Sequence, residues 1–142
     1  NQLTADLAEA YLETGRMDEA ASYANRVLQM EVPRHRPYAL YTLGLVHQRQ
    51  GRPDYAAVAF DDGIRTARAN GDRFIEAYLH RLDGRLRMEQ GDRAAGRAAL
   101  EAAIALFADM GIAYEAGATR DEMARFFGEP AAIEQPSEVA LD

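Results

Sequence analysis

The sequence predicts an all-α fold of about seven helices, arranged as antiparallel pairs stacked one on the next. Three observations predict it. Alanine dominates in company with Leu, Arg, Glu and Met, the strongest helix formers, and no stretch alternates apolar and polar residues as a strand would. Glycine and proline recur at intervals that punctuate helices. Those intervals also repeat. Gly51 follows Gly15 by 36 residues (51 − 15) and Gly91 follows Gly51 by 40 (91 − 51), a period that marks stacked structural units.

Taken in order, the first helix spans 2–14 and stops at Thr14-Gly15-Arg16; the second spans 17–31. His35, between Pro33 and Pro37, falls in a connecting turn. The third helix spans 37–50 and ends at Gln50-Gly51-Arg52-Pro53. Pro53 opens the fourth, 53–70, because a missing N–H costs nothing in a first turn. Asn70-Gly71-Asp72 combines a glycine stop with an aspartate N-cap and opens the fifth, 73–90. Gln90-Gly91-Asp92 repeats that grammar before the sixth, 93–110, and Gly111 and Gly128-Glu129-Pro130 bound the seventh, 112–127. Turns this short make neighbouring helices antiparallel. A repeat domain is thus expected over 1–128, with repeats at about 2–33, 37–70 and 73–110, a capping helix at 112–127, and a tail at 129–142.

The residues around the turn glycines also match. Leu7 and Leu43, Ala8 and Gly44, Tyr11 and His47, Ala20 and Ala56, and Ala24 and Phe60 occupy equal offsets from Gly15 and Gly51. Gly84 and Gly96 flank Gly91, with Leu100 and Ala103 behind them. A small residue in each helix lets two backbones approach, and a pair that cannot bury its apolar face alone must stack. Gly44 is therefore expected at a close crossing, opposite a residue near Ala56.

Leu7-Ala8-Glu9-Ala10-Tyr11 with Gly15-Arg16-Met17-Asp18-Glu19-Ala20-Ala21 resembles a tetratricopeptide repeat, and Leu43-Gly44, Gly51, Tyr55-Ala56 and Phe60 resemble a second. The resemblance covers 2–70 well and 73–110 loosely, and it implies a right-handed superhelix that binds other proteins. The long spacing, together with Leu106-Phe107, Met110-Gly111, Tyr114-Glu115-Ala116 and Thr119-Arg120, is similar to the C-terminal repeats of bacterial signalling ATPases and maltose-regulator-like transcription factors. Chaperone-binding members hold a C-terminal carboxylate with Lys and Asn. The corresponding positions here are Ala5 and Glu9, and the chain has no lysine, so that clamp is absent.

The fifth helix admits two registers. Its apolar stripe is Ile75, Leu79, Leu82 and Leu86, whereas the family register turns His80, Asp83 and Arg87 inward. The stripe is expected to win, because burying Asp83 and Arg87 unpaired would cost several kcal/mol.

Composition excludes several functions. No cysteine means no disulfide, thiolate metal site or cysteine nucleophile. A net charge of −7 opposes nucleic-acid binding. No apolar run approaches the ~20 residues of a membrane span, and no signal peptide is visible. These features fit a cytoplasmic protein. All 16 basic residues are arginine, which suggests a GC-rich bacterial genome, and a start at Asn1 suggests a segment of a longer chain. His35, His47 and His80 lack metal-ligand spacing. Asp61-Asp62 point in different directions on a helix and read as a solvated face. No phosphate-cradling or nucleophile motif occurs. No catalytic residue, cofactor or metal is expected.

What remains is the inner face of the stack. On the third helix Leu40, Leu43, Gly44 and His47 are expected in the core, which leaves Tyr38, Tyr41, Leu45, Gln48 and Arg49 as a partner-binding stripe. The fifth helix adds Tyr78, Arg81, Arg85 and Met88 in one register, or Ala77, His80 and Gly84 in the other. Aromatic and arginine side chains are typical interface anchors. The expected function is a non-catalytic protein–protein interaction scaffold within a larger bacterial signalling or regulatory protein. Its partner is a protein or peptide, or another copy of the chain drawn in through the acidic tail. A ligand-sensing module with a small effector in the groove is the alternative, and self-association alone is a weaker one. In the last helix Met123 and Phe127 are expected inward with Tyr114 or Ala116, and Arg120, Asp121, Glu122 and Arg125 outward.

Overall fold

The computed structural model describes residues 16–128. The helix expected at 2–14 and the tail expected at 129–142 lie outside the described residues. Within them the chain is helical throughout, with no strand. The helices are α1 (Met17–Gln29), a short 3-10 turn (Pro33–His35), α2 (Arg36–Arg49), α3 (Pro53–Asn70), α4 (Arg73–Glu89), α5 (Arg93–Asp109) and α6 (Ala113–Phe127). Each packs against the next.

The turns follow from the sequence grammar. Asp72 and Asp92 cap their helices by accepting the amides of Ile75 and Ala95 at 3.3 and 3.2 Å. One backbone closure recurs four times: Arg52 N–H to His47 O, Asp72 to Ala67, Asp92 to Arg87 and Ile112 to Phe107, all at 2.8–2.9 Å. It needs a left-handed residue in between, which Gly51, Gly71, Gly91 and Gly111 supply with φ of 71–86°. Gly91 and Gly111 stand 40 residues beyond Gly51 and Gly71 (91 − 51, 111 − 71), so the second and third pairs are built alike.

Close helix crossings occur where the small residues predict them. A Cβ on Gly44 would sit 2.6 Å from Phe60 Cδ1 and 2.8 Å from Cζ. Phe60 lies one turn beyond Ala56. The same contact recurs 40 residues later, where a Cβ on Gly84 would meet Leu100 at 2.8 Å and the Gly96 carbonyl at 3.2 Å. The main core joins Phe60, Ile64, Ile75, Leu79, Leu82 and Leu86 with residues of α2. A second cluster forms around Phe107, Ala77, Ala103 and Ala116.

Helix α4 takes the register of its apolar stripe, with Ile75, Leu79, Leu82 and Leu86 all buried. Helix α2 departs from expectation. Nine of its 14 residues are buried, among them Tyr38, Tyr41 and Leu45, whereas Leu43 is only half-buried. The helix is sandwiched between α1, α3 and α4, and a helix buried on all sides must be apolar on all sides.

Candidate partner-binding face

Helices α2 and α4 come first in their pairs, and the capping helix α6 follows α5 as α4 follows α3. The inner face is built where they meet. Between α2 and α4, the Tyr41 and Tyr78 rings meet edge to face with centroids 6.3 Å apart. Tyr78 also packs at 5.0 Å against Phe74 and at 5.1 Å against Phe107. Nearer the far end, Gln48 Nε2 donates to Glu89 Oε1 at 3.0 Å. Between α4 and α6 the link is ionic. Arg81 donates to Glu115 and Glu122 at 3.0 Å each, and Arg85 Nε also donates to Glu122. Arg81 stands 40 residues beyond Tyr41 (81 − 41), so equivalent positions carry an aromatic contact in one gap and a charged one in the next.

The nine residues expected on this face divide into three groups. Tyr38, Tyr41 and Leu45 were expected as a stripe the core does not need; instead they belong to the core, at 6, 3 and 6 % exposure. Tyr38 donates its hydroxyl to Asp72 at 3.0 Å. Burial, reinforced by that hydrogen bond and by the Asp72 charge, keeps the phenol protonated well above its ordinary range. Met88 is likewise buried, its Sδ lying against Gly96 at the α4–α5 crossing. Gln48, Tyr78, Arg81 and Arg85 are part-exposed on the face, and Arg49 is exposed at the end of α2. Arg81 and Arg85, expected among the anchors of this face, already hold carboxylates of α6.

Sequence reasoning missed those carboxylates and placed Glu122 outside, but it is 7 % exposed. Of Tyr114 and Ala116, either of which was expected inward, Ala116 is buried and Tyr114 is 82 % exposed. Met123 and Phe127 are half-buried, and Arg93 and Arg97 lie over the Phe127 ring at 4.6 and 4.0 Å. Arg81 and Arg85 one turn apart, and Glu115 and Glu122 two turns apart, were the signal of matching charged faces.

The histidines lie apart from one another. His35 sits in the 3-10 turn. His47 stacks on Tyr55 at 5.4 Å with its Nδ1 unpartnered; burial, then the charge of Arg52, lowers its pKa. His80 Nε2 lies 3.3 Å from both Glu76 Oε2 and Arg68 Nη2, and Arg68 Nε holds the same Glu76 oxygen at 2.7 Å. Burial lowers the His80 pKa despite Glu76. Asp83 is pushed up by burial, against the pull of Arg87 3.4 Å away, and its Oδ1 has no aligned donor. Asp61 pairs with Arg65 on the surface and Asp62 with Arg36 at 2.7 Å. Among the described residues no group of three or more His, Cys, Asp or Glu is placed to hold a metal, and no helix is long and apolar enough to cross a membrane. An apolar cleft of about 200 Å³ opens between Val27, Leu28, Val32, Pro33, Arg36 and Thr66. That is below the usual ~300–1,000 Å³ of small-molecule sites.

Residues 5–31 match the family model of the tetratricopeptide repeat. The match spans the first expected pair, whose second helix is α1, and supports a tetratricopeptide repeat domain. Such repeats generally mediate protein–protein interaction. No curated protein and no solved structure matches the chain.

Proposed function

We propose that this chain is a non-catalytic protein-binding scaffold, working in the cytoplasm as part of a larger bacterial signalling or regulatory protein. The observation that carries this reading is the recurrence of one pair geometry beyond the matched segment. Gly44 against Phe60 and Gly84 against Leu100 are the same crossing 40 residues apart, so the chain builds repeated surface rather than one enclosed pocket. The long spacing and its resemblance to bacterial regulators support the larger context.

The partner face runs along α2 and α4 through Gln48, Arg49, Tyr78, Arg81 and Arg85, beside the buried Tyr38, Tyr41 and Leu45 of α2, with Met88 taken up by the α4–α5 crossing. Adaptable polar and aromatic side chains beside a rigid core suit a peptide segment. The open, small cleft beside Pro33 gives a small effector less to hold.

The test is capture from the native host with the wild-type chain and a Gln48→Ala/Arg49→Glu variant. Both positions lie away from the core, so helical content and Tm should hold while partner recovery falls. Equal recovery of the same proteins by both chains would move the site off this face.

A further inference from the structure

Helix α6 is attached differently from its neighbours. Helix α3 buries Phe60 and Ile64, α4 buries Ile75, Leu79, Leu82 and Leu86, and α5 buries Leu100 and Phe107. The buried residues of α6 are Ala116, Thr119, Glu122 and Ala124, which are small or polar. Its large side chains are either exposed, as Tyr114 is, or half-buried, as Met123, Phe126 and Phe127 are. Besides the Ala116 cluster with Phe107 and Ala103 and the Phe127 ring under Arg93 and Arg97, its docking uses Glu115 and Glu122, which meet Arg81 and Arg85 across the gap.

That arrangement sets the terms on which α6 can be replaced. The Arg81 side chain is only 14 % exposed. Stripped of its carboxylates, it would stand as an uncompensated charge, which is far less favourable than exchanging one carboxylate pair for another. Any group that takes the place of α6 must bring acids of its own. It must also be slim between them, because Ala116 is what meets the Phe107 and Ala103 cluster and the small Thr119, one turn on in sequence, is buried too.

We propose that the surface of α4 and α5 beneath α6 is a receptor site for an acidic amphipathic helix of a partner protein, occupied in the unbound chain by α6 itself. The recognition pattern is written in the occupant: two carboxylates two turns apart, as in Glu115 and Glu122, with small residues between. Charge complementarity to Arg81 and Arg85 selects the partner. The turn Met110-Gly111-Ile112 is where α6 would swing away, opening the Ile112 N–H to Phe107 O closure. This deepens the scaffold reading and rests on it.

The test uses the full chain and a labelled peptide with the sequence of residues 112–128, followed by fluorescence anisotropy. A Glu115→Gln/Glu122→Gln chain should bind this peptide on the order of tenfold more tightly than wild type, since its own helix competes less well. A peptide carrying Gln at both positions should bind neither chain. Hydrogen exchange should quicken in 113–127 of the variant while α3 and α4 stay protected. If the double variant does not fold, Glu115→Gln alone should show the same shifts, smaller in size.

Equal peptide affinity for wild type and a folded variant, or exchange of α6 only together with α3 and α4, would overturn the proposal. A wild-type dimer that the peptide dissolves would assign the site to a second copy of the chain and overturn it too. Should the peptide fail while Gln48→Ala/Arg49→Glu still abolishes capture, the receptor site falls and the scaffold reading stands.

Discussion

Gly44 offers a contest between two effects of known size. Replacing a helical glycine by alanine normally stabilises by about 1 kcal/mol, through helix propensity and lost freedom of the unfolded chain. At Gly44 the new Cβ would sit 2.6 and 2.8 Å from two Phe60 ring atoms, and closer still to Cε1. That ring is fully buried and has nowhere to retreat. Overpacking of this kind costs about 1–3 kcal/mol. Gly44→Ala should therefore be neutral to about 2 kcal/mol destabilising, and Gly44→Leu worse. Gly117 is the control, because it is also inside a helix but has nothing within 4 Å of its would-be Cβ. Gly117→Ala should stabilise by about 0.5–1 kcal/mol. Urea unfolding followed by circular dichroism at 222 nm measures both, and opposite signs are expected. A Gly44→Ala chain that gains as much stability as Gly117→Ala would refute the α2–α3 crossing and the repeat alignment built on it.

Three other outcomes follow from the core and its buried charges. Tyr41→Ala should cost about 3 kcal/mol and lower Tm, since a large buried ring is lost; an unchanged melt would return Tyr41 to the surface. His80 has a lowered pKa, so it stays neutral in the fold, and its contribution is intact above pH ~6.5 and lost as pH falls below that value. The loss of Tm between pH 7 and 5 should therefore be smaller in His80→Gln, read against Glu76, Asp83 and Arg68, which face it. Asp83 has a raised pKa, so its carboxylate favours the fold when protonated and opposes it once ionised. Asp83→Asn should accordingly raise Tm at pH 7 but not at pH 3, and a lower Tm at pH 7 would show that Arg87 outweighs burial.

The helix ends at Gly51, Gly71, Gly91 and Gly111 were legible because glycine fits the left-handed turn most readily, and Asp72 and Asp92 announce the helices that follow; the end of α1 lacked that signal, since Glu31 takes the left-handed position there. The apolar stripe of α4 was legible as buried, but the two registers are not exclusive: Ala77 and Gly84 are buried as well, and His80 and Asp83 are largely covered. The rotation of α2 was not legible. From Pro37 to Val46 its only polar side chain is Thr42, so no period distinguishes a core face from an inner face. That near-continuous apolar run was itself the sign of burial all round, and it makes Tyr38, Tyr41 and Leu45 part of the core rather than a set of exposed anchors. Glu122 was misplaced for another reason. An acid in a charged helix is usually solvated, and its partners Arg81 and Arg85 lie on another helix about forty positions away. The matching spacings of the two charged pairs hint at the link, but which helices meet is set only when they are stacked.

The change from a ring contact between α2 and α4 to charged contacts between α4 and α6 also gives the stack a mechanical polarity. Each helix is secured mainly by its neighbours, so tension drawn through the C-terminal end loads the α6 junction before any other. That junction joins a small apolar cluster at Ala116 and Phe107 to carboxylate–arginine pairs, whose strength weakens with ionic strength. The next one inward is fastened by Leu100, Phe107 and the Gly84–Gly96 contact, which salt leaves largely untouched. Pulled from that end, the chain would yield in two stages: an early extension whose force falls as salt is added, then a stiffer resistance that does not.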